Sequence, residues 1–393
     1  MCGKSDSDDQ KYLFLSLLIK SGYHVYCQIE AEAHELEYYY FNITDYYKAY
    51  ILAKAFKKYI NFDEQLSRQE LYDMFILAVS SGYFKEVSKV KKLYNDVIRF
   101  GRSLIADSSV QGTIFRAQSE IINIDYWELN LIGLSNTIEE TIIQIPTISN
   151  NSPEDLICAY LNLINRKMVL QLILGNYELA EETFKNNYLI NEQLSRLDYI
   201  GHLYMDYSKG FYHCDLIKAL EYMQKAQEIF ETLGTEHRRL LDCNCELAYL
   251  KCLKDHTQNL EELELASNLL YHSQFIELYS KAKLKLAALK MVRGGYSKEE
   301  IRHDIYISKY VLSFSFTGRL ALLYKMIKNA YLIYSNKANQ IEELTTEEKK
   351  KLNQMGNDYQ SVWTHNTKGL KNNITFFNDH AMSNVYILDT RIW

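Results

Sequence analysis

Apolar residues recur at helical spacing along most of the chain. Leu13, Leu17 and Leu18 share a face, Ser21-Gly22-Tyr23 interrupts it, and Val25, Ile29, Ala33 and Leu36 resume it. That pattern predicts a helical hairpin over residues 11–36. Thr44-Asp45 marks a further helix start, with Ala49, Ala53, Phe56 and Ile60 following on one face. A second hairpin is expected from Ser67 to Leu104, turning at Ser81-Gly82-Tyr83, with Val87, Val90, Leu93, Val97 and Phe100 as its second stripe. Ile114 to Leu134 reads as one helix or two. Thr137 to Ile145 is β-branched and reads as a helix or an extended piece. Pro146 to Pro153 contains both prolines of the chain and Ser149-Asn150-Asn151-Ser152, the composition of a linker.

The most regular stretch is Asp155 to Leu233. Two units there share a second-helix pattern. Gly175 is followed five residues later by Ala180 and four after that by Phe184, and Cys214 is followed in the same steps by Ala219 and Met223. Two more pairs follow, Leu240–Leu253 with Leu260–Tyr271, and Ile276–Val292 with Ile301–Leu312. From turn to turn, Gly175 to Cys214 is 39 residues, Cys214 to Thr257 is 43 and Thr257 to Gly295 is 38. A helix pair recurring near 40 residues is the signature of a stacked array. Arg319–Tyr334 predicts a further helix. Asn336–Leu344 reads as a loop, and a last helix opens at Thr346-Glu347-Glu348. The tail from Ile374 to Trp393 is apolar and strand-like at Phe376-Phe377 and Val385-Tyr386-Ile387-Leu388, as expected of a segment that caps the last helices.

Through Gly175, Ala180 and Phe184, and through Ala219, Met223 and Ala226, residues 155–233 resemble tetratricopeptide repeats. A small Ala lets two helices approach, and the bulky residue fills the gap to the next unit. The first-helix Trp, Gly and Tyr of that family are replaced by Ile164, Met168 and Gln171, no Pro closes either second helix, and the repeat exceeds the usual ~34 residues. The variant is similar to the degenerate repeats of bacterial regulatory sensors that bind short peptides, and to sensor arms of defence NTPases. The resemblance implies an all-α, right-handed superhelical solenoid of six to nine helix-turn-helix hairpins with an irregular C-terminal cap. The organisation expected is a disordered start at 1–10, N-terminal hairpins at 11–148, the repeat array at 149–335, and a C-terminal helix with capping tail at 336–393.

Composition agrees with helix. The 393 residues include only 2 Pro and 15 Gly, where an average chain has ~5% Pro and β-rich folds need more turn punctuation. A net charge of −6 lacks the basic stripe of a nucleic-acid binder, and Lys89, Lys91 and Lys92 read as a solvated helix face. Seven irregularly spaced cysteines give no disulfide framework and point to a reducing, cytoplasmic setting. The start Cys2-Gly3-Lys4-Ser5 admits an alternative, a lipid-bearing cysteine with a polar tether. A membrane is expected only through such a lipidated Cys2.

Catalytic and metal chemistry finds no support. His34-Glu35 begins a zinc-protease pattern, but Tyr38 stands where the second His belongs. Gly3-Lys4-Ser5 lacks the upstream Gly of a phosphate loop. Cys245, Cys252 and His256 share a helix face, yet seven residues of helix put two sulfurs about 10 Å apart, too far for tetrahedral zinc. No cofactor and no enzyme activity are expected. The 33 tyrosines, clustered at Tyr38-Tyr39-Tyr40 and Tyr46-Tyr47, suit contact surfaces or packing.

The function expected is therefore non-catalytic binding of a protein or short peptide, with regulatory purpose. Homo-oligomers are compatible with it, and the alternatives are a lipoprotein binding domain and the sensor arm of a larger system. First helices of such repeats line the concave face. On that reading Asn162 and Asn165 offer amides to a ligand backbone, and Tyr204 and Tyr207 are their neighbours in the next unit.

Overall fold

The computed structural model describes residues 68–352 and 354, apart from 82–86, 105–107, 212–214, 235–236, 256–259, 273–274 and 312–317. The hairpin at 11–36, the helix from Thr44, Cys2, the tyrosine clusters, His256 and the tail from Ile374 lie outside the described residues. Among the described residues all regular structure is helical. In chain order the helices are α1 (Arg68–Ser81), α2 (Val87–Gly101), α3 (Ser108–Trp127), α4 (Leu134–Gln144), α5 (Glu154–Ile173), α6 (Tyr177–Gln193), α7 (Leu197–Lys209), α8 (Leu216–Thr232), α9 (His237–Lys254), α10 (Glu261–His272), α11 (Ile276–Arg293), α12 (Lys298–Val311), α13 (Gly318–Tyr334) and α14 (Thr346–Leu352). The β-branched stretch that was open between helix and strand is helical, as α4. Residues 336–344 hold one short 3₁₀ turn at Ala338–Gln340.

The helices end where the backbone turns left-handed. Gly175 has φ +82°. Its N–H donates to Leu172 O at 3.1 Å and the Asn176 N–H to Gln171 O at 2.8 Å, the paired bonds that satisfy the last carbonyls of α5. Ser195 closes α6 the same way at φ +53°, with bonds to Glu192 O and, from Arg196, to Asn191 O. Some starts are capped by side chains, while those of α6, α7 and α11 are not. Asp215 accepts from the Lys218 N–H at 3.0 Å, and Ser297 with Glu300 and Thr345 with Glu348 form reciprocal boxes.

The chain divides into two compact units. One holds α1, α2, most of α3 and the first turns of α5; the other holds the end of α3, α4, the rest of α5 and α6 to α14. The proline-bounded segment 146–153 falls inside the first unit's stretch Gln144–Tyr160. In the first unit, α1 packs on α2 through Leu71, Phe75 and Ile76 against Val90, Tyr94 and Val97, with Ile114 and Ala117 of α3 completing the core.

In the second unit each helix from α6 to α13 packs on the next, and α9 also meets α11, as α11 meets α13. Neighbour plus next-but-one packing is what stacked helix pairs produce. The first helices are α5, α7, α9 and α11, and the second are α6, α8, α10 and α12. Helix α5 has the length and apolarity of a membrane span, but 67% of its most apolar window is buried within the protein, as in a core helix.

Second helices carry matching buried stripes. Ala180, Phe184, Asn187 and Asn191 on α6 stand at the same intervals as Ala219, Met223, Ala226 and Phe230 on α8. Asn187 and Asn191 are each 1% exposed. Asn191 Nδ2 donates to Asn187 Oδ1 at 2.7 Å, while Asn191 Oδ1 has no hydrogen-bond partner. A buried acceptor left unmet costs about 1–3 kcal/mol. Asn191→Leu alone removes that unmet acceptor but strands Asn187 Oδ1, whereas the double change Asn187→Leu with Asn191→Leu removes the pair together and is expected to be the more stable of the two in urea unfolding by about 1 kcal/mol or more. A double variant no more stable than Asn191→Leu would refute this account of the stripe.

Candidate binding face

The first helices are joined by polar side chains at a constant register. Asn165 Nδ2 on α5 donates to Asp206 Oδ2 on α7 at 2.7 Å. Asp198 on α7 meets Arg239 on α9 at 3.5 Å. Glu246 on α9 takes Lys281 and Lys285 of α11, one on each oxygen, at 2.5 Å. Arg293 at the end of α11 donates to Cys252 O on α9 at 2.9 Å. The hydrogen-bonded partners are 41, 39 and 41 residues apart, so a repeat near 40 residues is present in side-chain contacts as well as in turn spacing.

Helix α7 shows how the sequence builds this seam. Asp198, His202, Asp206 and Lys209 follow at intervals of four, four and three, which places them on one face. The opposite flank of α7 carries Leu203, Tyr204 and Tyr207, with Phe211 just beyond its end. The polar face meets α5, α9 and, at His202, Phe230 of α8, and the aromatic flank meets α6 and α8. Lys209 lies 3.9 Å from Asp206 and joins the two halves of the seam electrically.

The four residues expected from sequence separate accordingly. Asn162 and Asn165 stand one turn apart on α5, both half-buried, and Asn165 is a member of the seam. Tyr204 and Tyr207 are on the aromatic flank. Tyr207 stacks on Phe184 of α6 at 4.2 Å and meets Tyr222 of α8 edge-on at 5.0 Å. Tyr204 lies 5.6 Å from Phe184, 5.8 Å from Tyr222 and 6.0 Å from Tyr188. Lys218 and Lys225 stand over these rings. Burial, with Tyr188 and Tyr222 beside it, pushes the Tyr204 phenol up to about 12. Burial, Glu181 and Tyr222 push Tyr207 up as well. Both stay neutral and act by packing.

Asp198, His202, Asp206, Lys209 and Glu246 were not singled out in the sequence. The spacing of the first four on α7 was the available signal, but nothing local says that a polar stripe faces another helix rather than water.

Electrostatics along the seam vary with burial. Asp198, Asp206 and Arg239 keep about a fifth to a quarter of their side chains exposed. Glu246, Lys281 and Lys285 are 2%, 4% and 4% exposed. Burial alone would raise the Glu246 carboxyl, but Lys281, Lys285 and, further off, Lys209 outweigh it and hold the group well below the usual carboxylate range. A second buried group joins α11 to its neighbours: Lys283 and Lys290 share Asp304 of α12 at 3.2 and 3.0 Å, and Lys290 also reaches Glu264 of α10 at 2.9 Å.

Cys243 and Cys245 lie on the buried side of α9, and Cys243 Sγ is 3.5 Å from Met223 Sδ. Burial pushes both thiols up, which leaves them protonated and unreactive. Among the described residues no group of three or more His, Cys, Asp or Glu is arranged to hold a metal ion. The chain matches no protein-family model, and no curated protein is similar to it.

Proposed function

We propose that this protein is a non-catalytic binding module, a right-handed superhelical solenoid of tetratricopeptide-like hairpins that holds an extended protein segment or short peptide against its first helices. The observation that carries this reading is the polar seam that joins α5, α7, α9 and α11, with hydrogen-bonded partners 39 to 41 residues apart. The seam fixes the spacing of the first helices, and Asp198, Asp206 and Arg239, which keep about a fifth to a quarter of their side chains exposed, mark where it reaches the surface a ligand backbone would meet. Asn165 is the best placed member of the seam. Its Nδ2 is anchored on Asp206 at 2.7 Å, so the half-buried side chain is held in one orientation before any ligand arrives. Preorganisation of that kind lowers the ordering cost of binding. The reading includes a regulatory purpose and a protein or peptide partner. It assigns no cofactor and no nucleic acid.

The test is selection from a displayed library of unstructured peptides, followed by calorimetry with the peptide recovered. Asn165→Leu is expected to weaken that peptide about tenfold, the equivalent of one net hydrogen bond, with the helical circular dichroism unchanged. Asn162→Ala should act in the same direction. Leu265→Ser, on the exposed side of α10, should leave affinity alone. Recovery of no peptide, or affinities indifferent to both asparagines, would sink the proposal.

A further inference from the structure

His202 occupies the place where α7, α8 and α9 meet. Gly201 beside it lets the Phe230 ring of α8 come so close that a Cβ at 201 would lie 2.6 Å from Phe230 Cε1. The imidazole itself meets that ring edge-on at 5.6 Å. Across from it α9 begins with Arg238 and Arg239, and Arg239 is held by Asp198 at 3.5 Å.

We propose that the α7–α8–α9 junction is an acid-sensitive joint, in which proton uptake by His202 expels the imidazole from between Phe230 and the α9 cations and loosens α8 and α9 from α7.

The charged groups around the ring decide the sign. From α9 come Arg238, Arg239 and, one turn on, Asp242. From α8 the facing group is the uncharged Phe230 ring. On α7 itself Asp198 and Asp206 stand one turn to either side, with Lys209 beyond. The two carboxylates would welcome an imidazolium, but both are already committed, Asp198 to Arg239 and Asp206 to Asn165 and Lys209. Burial comes first among the effects on the ring, followed by Arg239, Lys209 and Arg238, and together they hold it well below the ordinary histidine range. His202 is half-buried, and an opened junction returns the ring fully to water, where it takes a proton near pH ~6.5. The packed ring stays neutral there. The junction is thus fully stable above about pH 6.5 and weakens as the pH falls below it, with the opening equilibrium growing up to about tenfold per pH unit.

Because α7 and α9 both contribute to the proposed peptide face, acid release of a bound peptide follows. That consequence rests on the function proposed above; the joint itself does not. Hydrogen exchange on the full chain, without any ligand, tests the joint alone. Between pH 7.5 and 5.5, corrected for intrinsic exchange, the amides at the end of α8 and the start of α9 should lose up to about tenfold in protection, while those of α11 and α12 hold. His202→Gln should abolish the pH dependence. Arg239→Gln, which removes a cation and frees Asp198, should reduce it and move the His202 ring titration upward in an NMR titration. Protection that changes less than twofold in the wild type would overturn the joint. So would a His202→Gln chain that loosens equally, or an Arg239→Gln chain whose ring titrates where the wild type's does. Peptide release that fails while the exchange result holds would count against the binding function and leave the joint standing.

Discussion

Glu246→Leu is expected to lower stability by about 3–5 kcal/mol, the range for removing one partner of a buried ion pair. The carboxylate serves two ammonium groups, one on each oxygen at 2.5 Å, and all three residues are at least 96% buried. Without it, Lys281 and Lys285 remain in the interior with neither this counter-ion nor bulk water. The position is specific, because Glu246 lies on α9 and both lysines lie on α11. Urea unfolding at pH 7.5 measures the loss, and a cost below about 1 kcal/mol would refute the assignment. The triple change Glu246→Leu, Lys281→Met and Lys285→Met should regain most of the stability. A hydrophobic replacement of a whole buried ionic group is often neutral or better, since desolvation offsets the Coulomb gain. Acid gives an independent check. With the folded carboxyl held well below its ordinary range, this contribution is present above the unfolded carboxyl's pH of ~4.3 and is lost as the pH falls through the lower folded value. That window lies below the one expected for His202, so the two can be separated in a single titration.

Phe230→Ala should cost about 3–5 kcal/mol, and its partner Gly201 makes the prediction sharper. The Phe230 ring is 1% exposed and fills the space above Gly201, where three of its carbons would lie 2.6 to 3.1 Å from an added Cβ. In the wild type, then, Gly201→Ala is expected to destabilise despite the ~1 kcal/mol that Ala adds to a helix, because a rigid ring in a close-packed site cannot give way. In the Phe230→Ala background the sign should invert. The methyl then enters a cavity, and helix propensity is all that remains. A double-mutant cycle by chemical unfolding reads this directly. Additive effects, with no inversion, would show that Gly201 and Phe230 are not the contact that seats α8 on α7.

Much of the helical organisation was readable from residues alone. The pairs after Leu240 fall within about three residues of α9 to α12, and the Pro-bounded stretch at 146–153 is non-helical. Both follow from local rules, since periodicity near 3.6 and the Pro, Gly and capping residues act within one or two turns. The stripe Ala180–Phe184 was read correctly as packing surface, and Phe184 does sit under Tyr204, Tyr207 and Tyr222.

Of the candidate site, residue type was legible and placement was not. Asn162 and Asn165 were picked for amides that would meet a ligand backbone, and the structure bonds Asn165 to Asp206 of the next first helix. Tyr204 and Tyr207 were picked for their chemistry as contact residues. They lie on the flank of α7 given to second helices, rotated about 100° or more round the helix from Asp206. Composition cannot separate a tyrosine that packs from one that meets a ligand, because the same ring serves both uses.

The sequence by itself determined the helices, their ends, and a repeat close to 40 residues, because each of these depends on neighbours within a few positions. Which faces meet was decided only in the tertiary structure. The contacts Asn165–Asp206, Asp198–Arg239, Glu246 with Lys281 and Lys285, and Gly201–Phe230 join different helices. Their register depends on side-chain volume and on charges that find partners only after the helices have packed. A polar stripe such as Asp198, His202, Asp206 and Lys209 reads, in one dimension, like any solvated helix face. Packing against α5 and α9 is what turned it into the seam between first helices.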